Sequence, residues 1–290
     1  MAFRTDLAVE AIENRKAAAA LRQVRQSERT LEGFSVSEVE ILAEDAAREL
    51  GKPCGRYVTL SLDALIRREE DAFPRACRAL STLLRDLLPA RCVGPVLVAG
   101  LGNRSITPDA VGPIAADHVI ATRHLVEQEP DVFAAWRPVS VLAPGVLGQT
   151  GVETGELIEG VLDRIRPAAV IAVDALAAGR LSRLLRTVQL ADTGITPGAG
   201  VGNARAALCQ LRAQAVRLFG ALFALAAGAV DVFPVVLYVR LQHRRAARLL
   251  GGALLDASGV PLLLTVCTIA SAVGAAIVWC TVQTKKHAAC

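Results

Sequence analysis

No CxxC pair occurs among the seven cysteines (Cys54, Cys77, Cys92, Cys209, Cys267, Cys280, Cys290), and no HExxH or comparable cluster among the four histidines. The first absence removes the usual spacing of a structural zinc site and the second that of a metallopeptidase helix. An odd number of cysteines without a disulfide framework reads as reduced, mostly buried thiols of a cytosolic protein. None of them has a histidine-rich neighbourhood that would support a thiolate nucleophile. The opening stretch MAFRTDLAVEAIENRK holds acids and lacks an apolar core run, so it does not read as a signal peptide. Net charge is small as well, at +4, and the basic residues are interleaved with acids as in LRQVRQSERTLEGF. A solvated surface, with no nucleic-acid partner, is the reading that follows.

What is present begins with Val96 to Pro113, VLVAGLGNRSITPDAVGP. An apolar run ends in Gly-Leu-Gly-Asn, and Asp109 follows directly after Pro108. The order predicts a buried strand, a tight turn that glycine permits, and a helix whose first turn carries an acid. Ala168 to Ala175, AAVIAVDA, repeats the design and ends on Asp174. Two acids delivered by the carboxyl ends of apolar strands suit a site in the crevice of an open α/β sheet.

The spacing predicts strands at Val96–Ala99, Val139–Leu142 and Ala169–Val173, with helices at Asp109–Glu127 and Gly151–Ile165 between them. Such alternation argues for an α/β fold with a mostly parallel central sheet flanked by helices. Upstream, residues 1 to about 50 are polar and Ala/Glu/Arg-rich with helical spacing interrupted near Gly33. Gly51–Leu60 reads as a short strand entered from a loop, and Arg75–Leu88 as an amphipathic helix. Two loops, APGVLGQTGVET at Ala143–Thr154 and DTGITPGAGVGN at Asp192–Asn203, are rich in glycine and small polar residues, as functional loops often are. The GAGVGN fragment at Gly198–Asn203 is similar to part of a dinucleotide fingerprint but lacks the strand-to-helix setting.

After Leu211 acids nearly vanish and the alternation is lost. Val260–Val282 runs 23 residues without a charge, followed by Lys285 and Lys286. That length suffices to span a bilayer, and it is the only expected route to a membrane partner. A buried core helix, or a sequence not selected for folding, are the alternatives for this stretch.

Several ordered motifs together resemble the germination proteases of endospore-forming bacteria. They are RTDLAVEA (Arg4–Ala11), KPCGRYVTL (Lys52–Leu60), GLGNRSITPDAVGP (Gly100–Pro113), TRHL (Thr122–Leu125), APGVLGQTGVET (Ala143–Thr154), VDALAAGRLSRL (Val173–Leu184) and QLADTGITPGAGVGNAR (Gln189–Arg205). The resemblance implies an atypical aspartic endopeptidase with a fold similar to hydrogenase maturation proteases and with no cofactor. It further implies degradation of small acid-soluble spore proteins during germination, in the cytoplasm of the forespore and spore core, by a homotetramer. Its catalytic aspartates would be Asp109 and Asp174. A zymogen would be trimmed at Asp6–Leu7, leaving residues 1–6 as propeptide and 7–207 as protease domain. Residues 208–290 fall outside the resemblance as a divergent, helical or membrane-like tail that a frameshift would explain. An inactive or membrane-anchored relic, and a small-ligand module built on Gly198–Asn203, remain as competing functions.

Peptide hydrolysis with two carboxylates needs one to activate water and one to protonate the leaving amine. Like charges at close range push the two pKa values apart, which supplies both states at one pH. As candidates for substrate or oxyanion contact the sequence offers Gly100, Gly102, Asn103, Glu153 and Asp192, with Thr107 and Thr193 as supporting donors. Arg104 or Arg123 is the expected reader of an acid before the cleaved bond. His124 raises metal binding only weakly, and turn chemistry alone accounts for Asp192.

Overall fold

The structure is a computed structural model that describes residues 5–14, 22–88 and 94–193. The chain enters through a short helix α1 (Ala8–Glu13) and then forms a hairpin of β1 (Val24–Leu31) and β2 (Phe34–Ile41). Helix α2 (Glu44–Leu50), strand β3 (Gly55–Ser61), a turn of helix α3 (Asp63–Ile66) and the long helix α4 (Ala72–Leu87) follow. Strand β4 (Val96–Leu101) leads through a 3-10 turn at Thr107–Asp109 into α5 (Val111–Asp117) and α6 (Arg123–Gln128). The remainder is β5 (Val139–Gly145), α7 (Leu147–Thr150), α8 (Thr154–Ile165), β6 (Ala169–Val173) and β7 (Thr187–Ala191).

Two sheets result. One is antiparallel in the order β1-β2-β3-β7, and the other is parallel in the order β5-β4-β6. The α/β class holds, and the parallel sheet uses the three strands that the apolar runs predict. The antiparallel sheet beside it is where the structure departs from the sequence reading. Residues 24–41 are a hairpin, not helix. Its turn, Glu32-Gly33, has positive φ at both positions (53° and 82°), the geometry of a two-residue hairpin loop. The misleading helical composition belongs mainly to β1, an outer strand whose middle faces solvent. There Arg25 pairs with Glu40 and Arg29 with Glu38 across the hairpin.

The helix expected over 109–127 is also divided. The backbone N–H of buried Thr122 donates to the Val139 carbonyl (2.9 Å) and its hydroxyl to Arg137. Those bonds tie the chain to the start of β5 and separate α5 from α6.

The largest apolar cluster joins the sheets. Phe34, Val36, Val58, Leu60, Val188 and Leu190 from the antiparallel sheet meet Val96, Val98, Ile171 and Val173 from the parallel one. Helix α4 supplies Ala76, Ala79, Leu80, Leu83, Leu84 and Leu87 to this core, the spacing of one helical face. The opposite faces carry a second cluster of Val39, Ile41, Tyr57 and Ala191 with Ala99, Leu101 and Ala172, covered by α1, α2 and Ile158 of α8. With both faces covered, β4 and β6 are buried along their whole length, while β5 is only partly covered.

Among the described residues no helix is long and apolar enough to cross a membrane. Val260–Val282, the rest of the 208–290 tail and the Gly198–Asn203 loop lie outside the described residues.

Candidate active site

Strands β4 and β6 lie side by side in parallel, with Gly100 opposite Val173. Their carboxyl ends therefore deliver the segment Gly102–Asp109 and Asp174 to the same edge of the sheet. Helix α5 is seated against both strands, because Gly112 packs on the Leu101 backbone and the Val173 carbonyl so tightly that any Cβ there would overlap them. Gly100 meets the Gly112 carbonyl in the same way. Gly102, at φ +114°, approaches the Asp109 carbonyl and carboxylate closer than a side chain would allow. The glycines expected at the site thus hold it together through close backbone approach.

Asp109 is fixed from two sides. Its own N–H donates to Ile106 (2.8 Å), closing the 3-10 turn, and its Oδ2 accepts from the Asn103 N–H at 2.7 Å. The Asn103 side-chain oxygen in turn accepts from Ser105 N–H (2.9 Å) and from Gln149 Nε2 (2.8 Å), linking this loop to α7. The Asn103 N–H is therefore committed to Asp109 in this state. Asp174 is 8% exposed and its Oδ1 accepts from the following N–H of Ala175 at 2.8 Å.

The two carboxyls feel one another. Burial pushes Asp174 up to about 7, the negative charge of Asp109 adds to the rise, the Ala175 N–H opposes it, and Asp6 contributes a smaller upward push. Asp109 is raised by burial as well, against the lowering effect of the Asn103 N–H. Both aspartates expected from the strand ends thus lie at one edge of the sheet, where the charge of Asp109 raises Asp174, and a third acid, Asp6, is near enough to Asp174 to add to that rise.

Asp6 and Leu7 reach this site through the N-terminal segment. The Asp6 N–H donates to the Ala177 carbonyl (2.7 Å), and the Ala177 N–H returns a bond to Asp6 Oδ2 (2.9 Å). Lys52 Nζ stands 4.0 Å from Asp6 Oδ1, with both side chains largely covered. Leu7 is buried against Ala178, Leu176, Ala177 and Leu184. Buried Glu10 of α1 accepts from the N–H groups of Gly179 (2.5 Å) and Arg180 (3.2 Å) and from the Thr5 hydroxyl (2.6 Å). The loop that carries Asp174 is thereby fastened to α1.

Other candidates lie apart from this cluster or serve local structure. Glu153 is the residue before α8. Asp192 ends β7 and its Oδ1 accepts from the Arg56 N–H (2.8 Å), which is strand-end chemistry. Thr193 neighbours Tyr57, whose hydroxyl burial pushes up to about 12, and Thr107 opens the 3-10 turn. Arg104 pairs with Asp117 and Arg123 with Glu127, so the acid at Asp6 is met by Lys52 in place of either arginine. Burial raises the Cys54 and Cys77 thiols, with Glu44 adding to the rise at Cys54, which disfavours their thiolates. His124 lies on the exposed side of α6. No group of three metal-ligating side chains occurs among the described residues.

A model of the germination protease family matches residues 4–215. The chain belongs to the germination protease family. It is 43% identical over 206 residues to the germination protease of Caldanaerobacter subterraneus subsp. tengcongensis, covering 71% of this chain and 63% of that protein. The germination protease of Clostridium perfringens is 41% identical over 210 residues, covering 70% of this chain and 63% of its own. That of Priestia megaterium is 42% identical over 219 residues, covering 70% and 57%. The matched part thus spans roughly three fifths of these germination proteases.

Sequence reasoning passed over Lys52, Gln149, Gln189 and Glu10, although each lies inside or beside a motif quoted above. The available signal was placement. Glu10 is a carboxylate on the face of α1 that otherwise packs inward, and Gln189 is an amide in the middle of a strand buried at every position.

Proposed function

We propose that the chain is an aspartic-type endopeptidase in which Asp109 and Asp174 share one proton around a water molecule. Below neutral pH the buried Asp174 keeps its proton while Asp109 is the more readily ionised partner. An ionised Asp109 accepts a proton from the water as it attacks the peptide carbonyl. The Asp174 proton passes to the departing amine, so the pair ends one turnover with its total proton count unchanged. Two interacting carboxyls titrate as a unit, and the pH profile reports the pair.

The observation that supports this reading is that two raised carboxyls stand at the carboxyl ends of adjoining parallel strands, the charge of one helping to raise the other to about 7. The substrates are small acid-soluble spore proteins of the forespore and spore core, whose flexible chains suit an open sheet edge. The chain matures by cutting itself at Asp6–Leu7, a reading supported by the seating of that segment beside Asp174. The names of the relatives support the protease class.

Incubation of the purified full chain with a small acid-soluble spore protein tests the proposal. Asp109→Asn and Asp174→Asn are each expected to slow cleavage by about 10²–10⁴-fold or more. Wild-type activity is expected to decline as pH rises through about 7. Undiminished cleavage by either variant overturns the assignment.

A further inference from the structure

Gln189 is 3% exposed and sits in the centre of β7, on the opposite face from the core residues Val188 and Leu190. Its amide brackets the main chain of the N-terminal segment: Oε1 accepts from the Ala8 N–H (2.8 Å), and Nε2 donates to the Asp6 carbonyl (3.2 Å). The bond between Asp6 and Leu7 lies inside that bracket. On the other side Asp6 exchanges a main-chain bond with Ala177 and receives the Ala177 N–H on its carboxylate. The main-chain contacts among these grip a peptide irrespective of sequence, through its amide groups. Sequence dependence enters at the Ala177 N–H on the Asp6 carboxylate and at two further points. Lys52 faces the Asp6 carboxylate, and the Leu176–Ala178 and Leu184 surfaces enclose Leu7.

Lys52 is held in place for this contact. Gly51 ends α2 in the left-handed conformation (φ 64°), and the turn lets the Lys52 N–H donate to the Ala47 carbonyl at 3.1 Å. The next residue is anchored too, since the buried Tyr57 hydroxyl donates to the Pro53 carbonyl (2.8 Å). The side chains of Lys52 and Asp6 are only 15% and 14% exposed, so solvent screens their attraction little.

We propose that Lys52 and Gln189 are the specificity and positioning residues of a peptide-binding track. Lys52 selects an acidic side chain immediately before the cleaved bond, and Gln189 clamps the carbonyl of that bond together with the N–H of the peptide group that follows it. Thr5–Ala8 occupies this track in its own chain, and an extended substrate peptide carrying an acid followed by an aliphatic residue takes the same place. The inference rests on the proteolytic reading above and adds the groups that choose the bond.

Cleavage of fluorogenic peptides by the purified full chain tests it, using Arg-Thr-Asp-Leu-Ala-Val-Glu and its counterparts with Asn or Lys at the Asp position. Wild type is expected to favour the Asp peptide over the Asn peptide by about tenfold or more, as for a partly covered ion pair. Lys52→Met is expected to bring that ratio near one, mainly through KM for the Asp peptide. Lys52→Arg retains the preference, and Lys52→Glu turns it toward the Lys peptide. Gln189→Leu is expected to weaken all three peptides alike. For self-trimming, Asp6→Asn slows the wild type but adds nothing in the Lys52→Met background, a coupling that a merely structural lysine would not show. An Asp/Asn ratio unchanged in Lys52→Met, with the two effects on trimming simply additive, overturns the proposal. That result leaves the aspartate pair standing. Failure of the wild type to cleave any of these peptides or a spore protein overturns the proteolytic reading itself, and this inference with it.

Discussion

Asp174 places a titratable proton in the interior, which ties its chemistry to the stability of the fold. Its pKa rises from the ordinary 3.8 to about 7 on folding, so the unfolded chain releases this proton first. Over the interval from about 4 to 7 the folded state holds a proton that the unfolded state has lost. The contribution of this group to stability is therefore complete below about 4 and declines as pH rises, by about 1.4 kcal/mol for each pH unit crossed. Asp174→Asn removes that slope while keeping the side chain's shape. The urea midpoint of the variant is expected to exceed that of wild type increasingly between pH 5 and pH 7, and two parallel curves would contradict the assignment. The neighbouring glycines belong to the same scale. Gly102 is required because its φ of +114° and its contact with Asp109 both exclude a side chain.

The elements divide into those that a one-dimensional pattern announces and those that it does not. Strands β4 and β6 are legible because a parallel strand covered on both faces is apolar throughout, and the acids at their ends mark where the apolar run stops. Helix α4 is legible from its one-sided spacing. Strand β1 is not, since its exposed middle places Arg, Gln, Ser and Glu where a helix would also accept them. Strand β7 is five buried residues with a glutamine at its centre, too short and too polar for periodicity to reveal. The aspartates were visible because they terminate strands. Lys52 and Gln189 were not, because their role depends on a segment more than forty and more than one hundred eighty residues away in sequence.

Helix α1 gives the element scale its own prediction. Glu13 accepts two bonds from the Arg183 guanidinium, both 2.7 Å, which together with Arg180 hold its carboxyl below the ordinary value, against the opposing effect of burial. A depressed carboxyl contributes stability that is present above its unfolded pKa and lost as pH falls through the folded one. As pH falls through that lowered value the fastening of α1 to the loop after Asp174 is expected to loosen. Glu13→Gln should reproduce that loosening at neutral pH, read as faster amide hydrogen exchange at Ala177–Arg180. Unchanged exchange there would show that Glu10 and Asp6 fasten the loop without Glu13.

At the scale of the whole molecule, the antiparallel sheet carries the clamp and the parallel sheet carries the aspartates. The core shared through α4 sets the distance between them, since Leu190 and Val188 of one sheet pack in the same cluster as Ile171 and Val173 of the other. A loss of packing there would separate the groups proposed to hold a peptide from those proposed to cut it, without touching either.

Because the Thr5–Ala8 segment is bound by its own chain, the proposed self-cleavage would act on a bond held at a local concentration that no dilution changes. Tethered partners of this kind experience an effective concentration set by the tether and not by the solution. Maturation is thus expected to follow first-order kinetics, with the same half-time across a hundredfold range of protein concentration, by gel assay at about micromolar and below. A half-time that lengthens on dilution would mean that one molecule trims another.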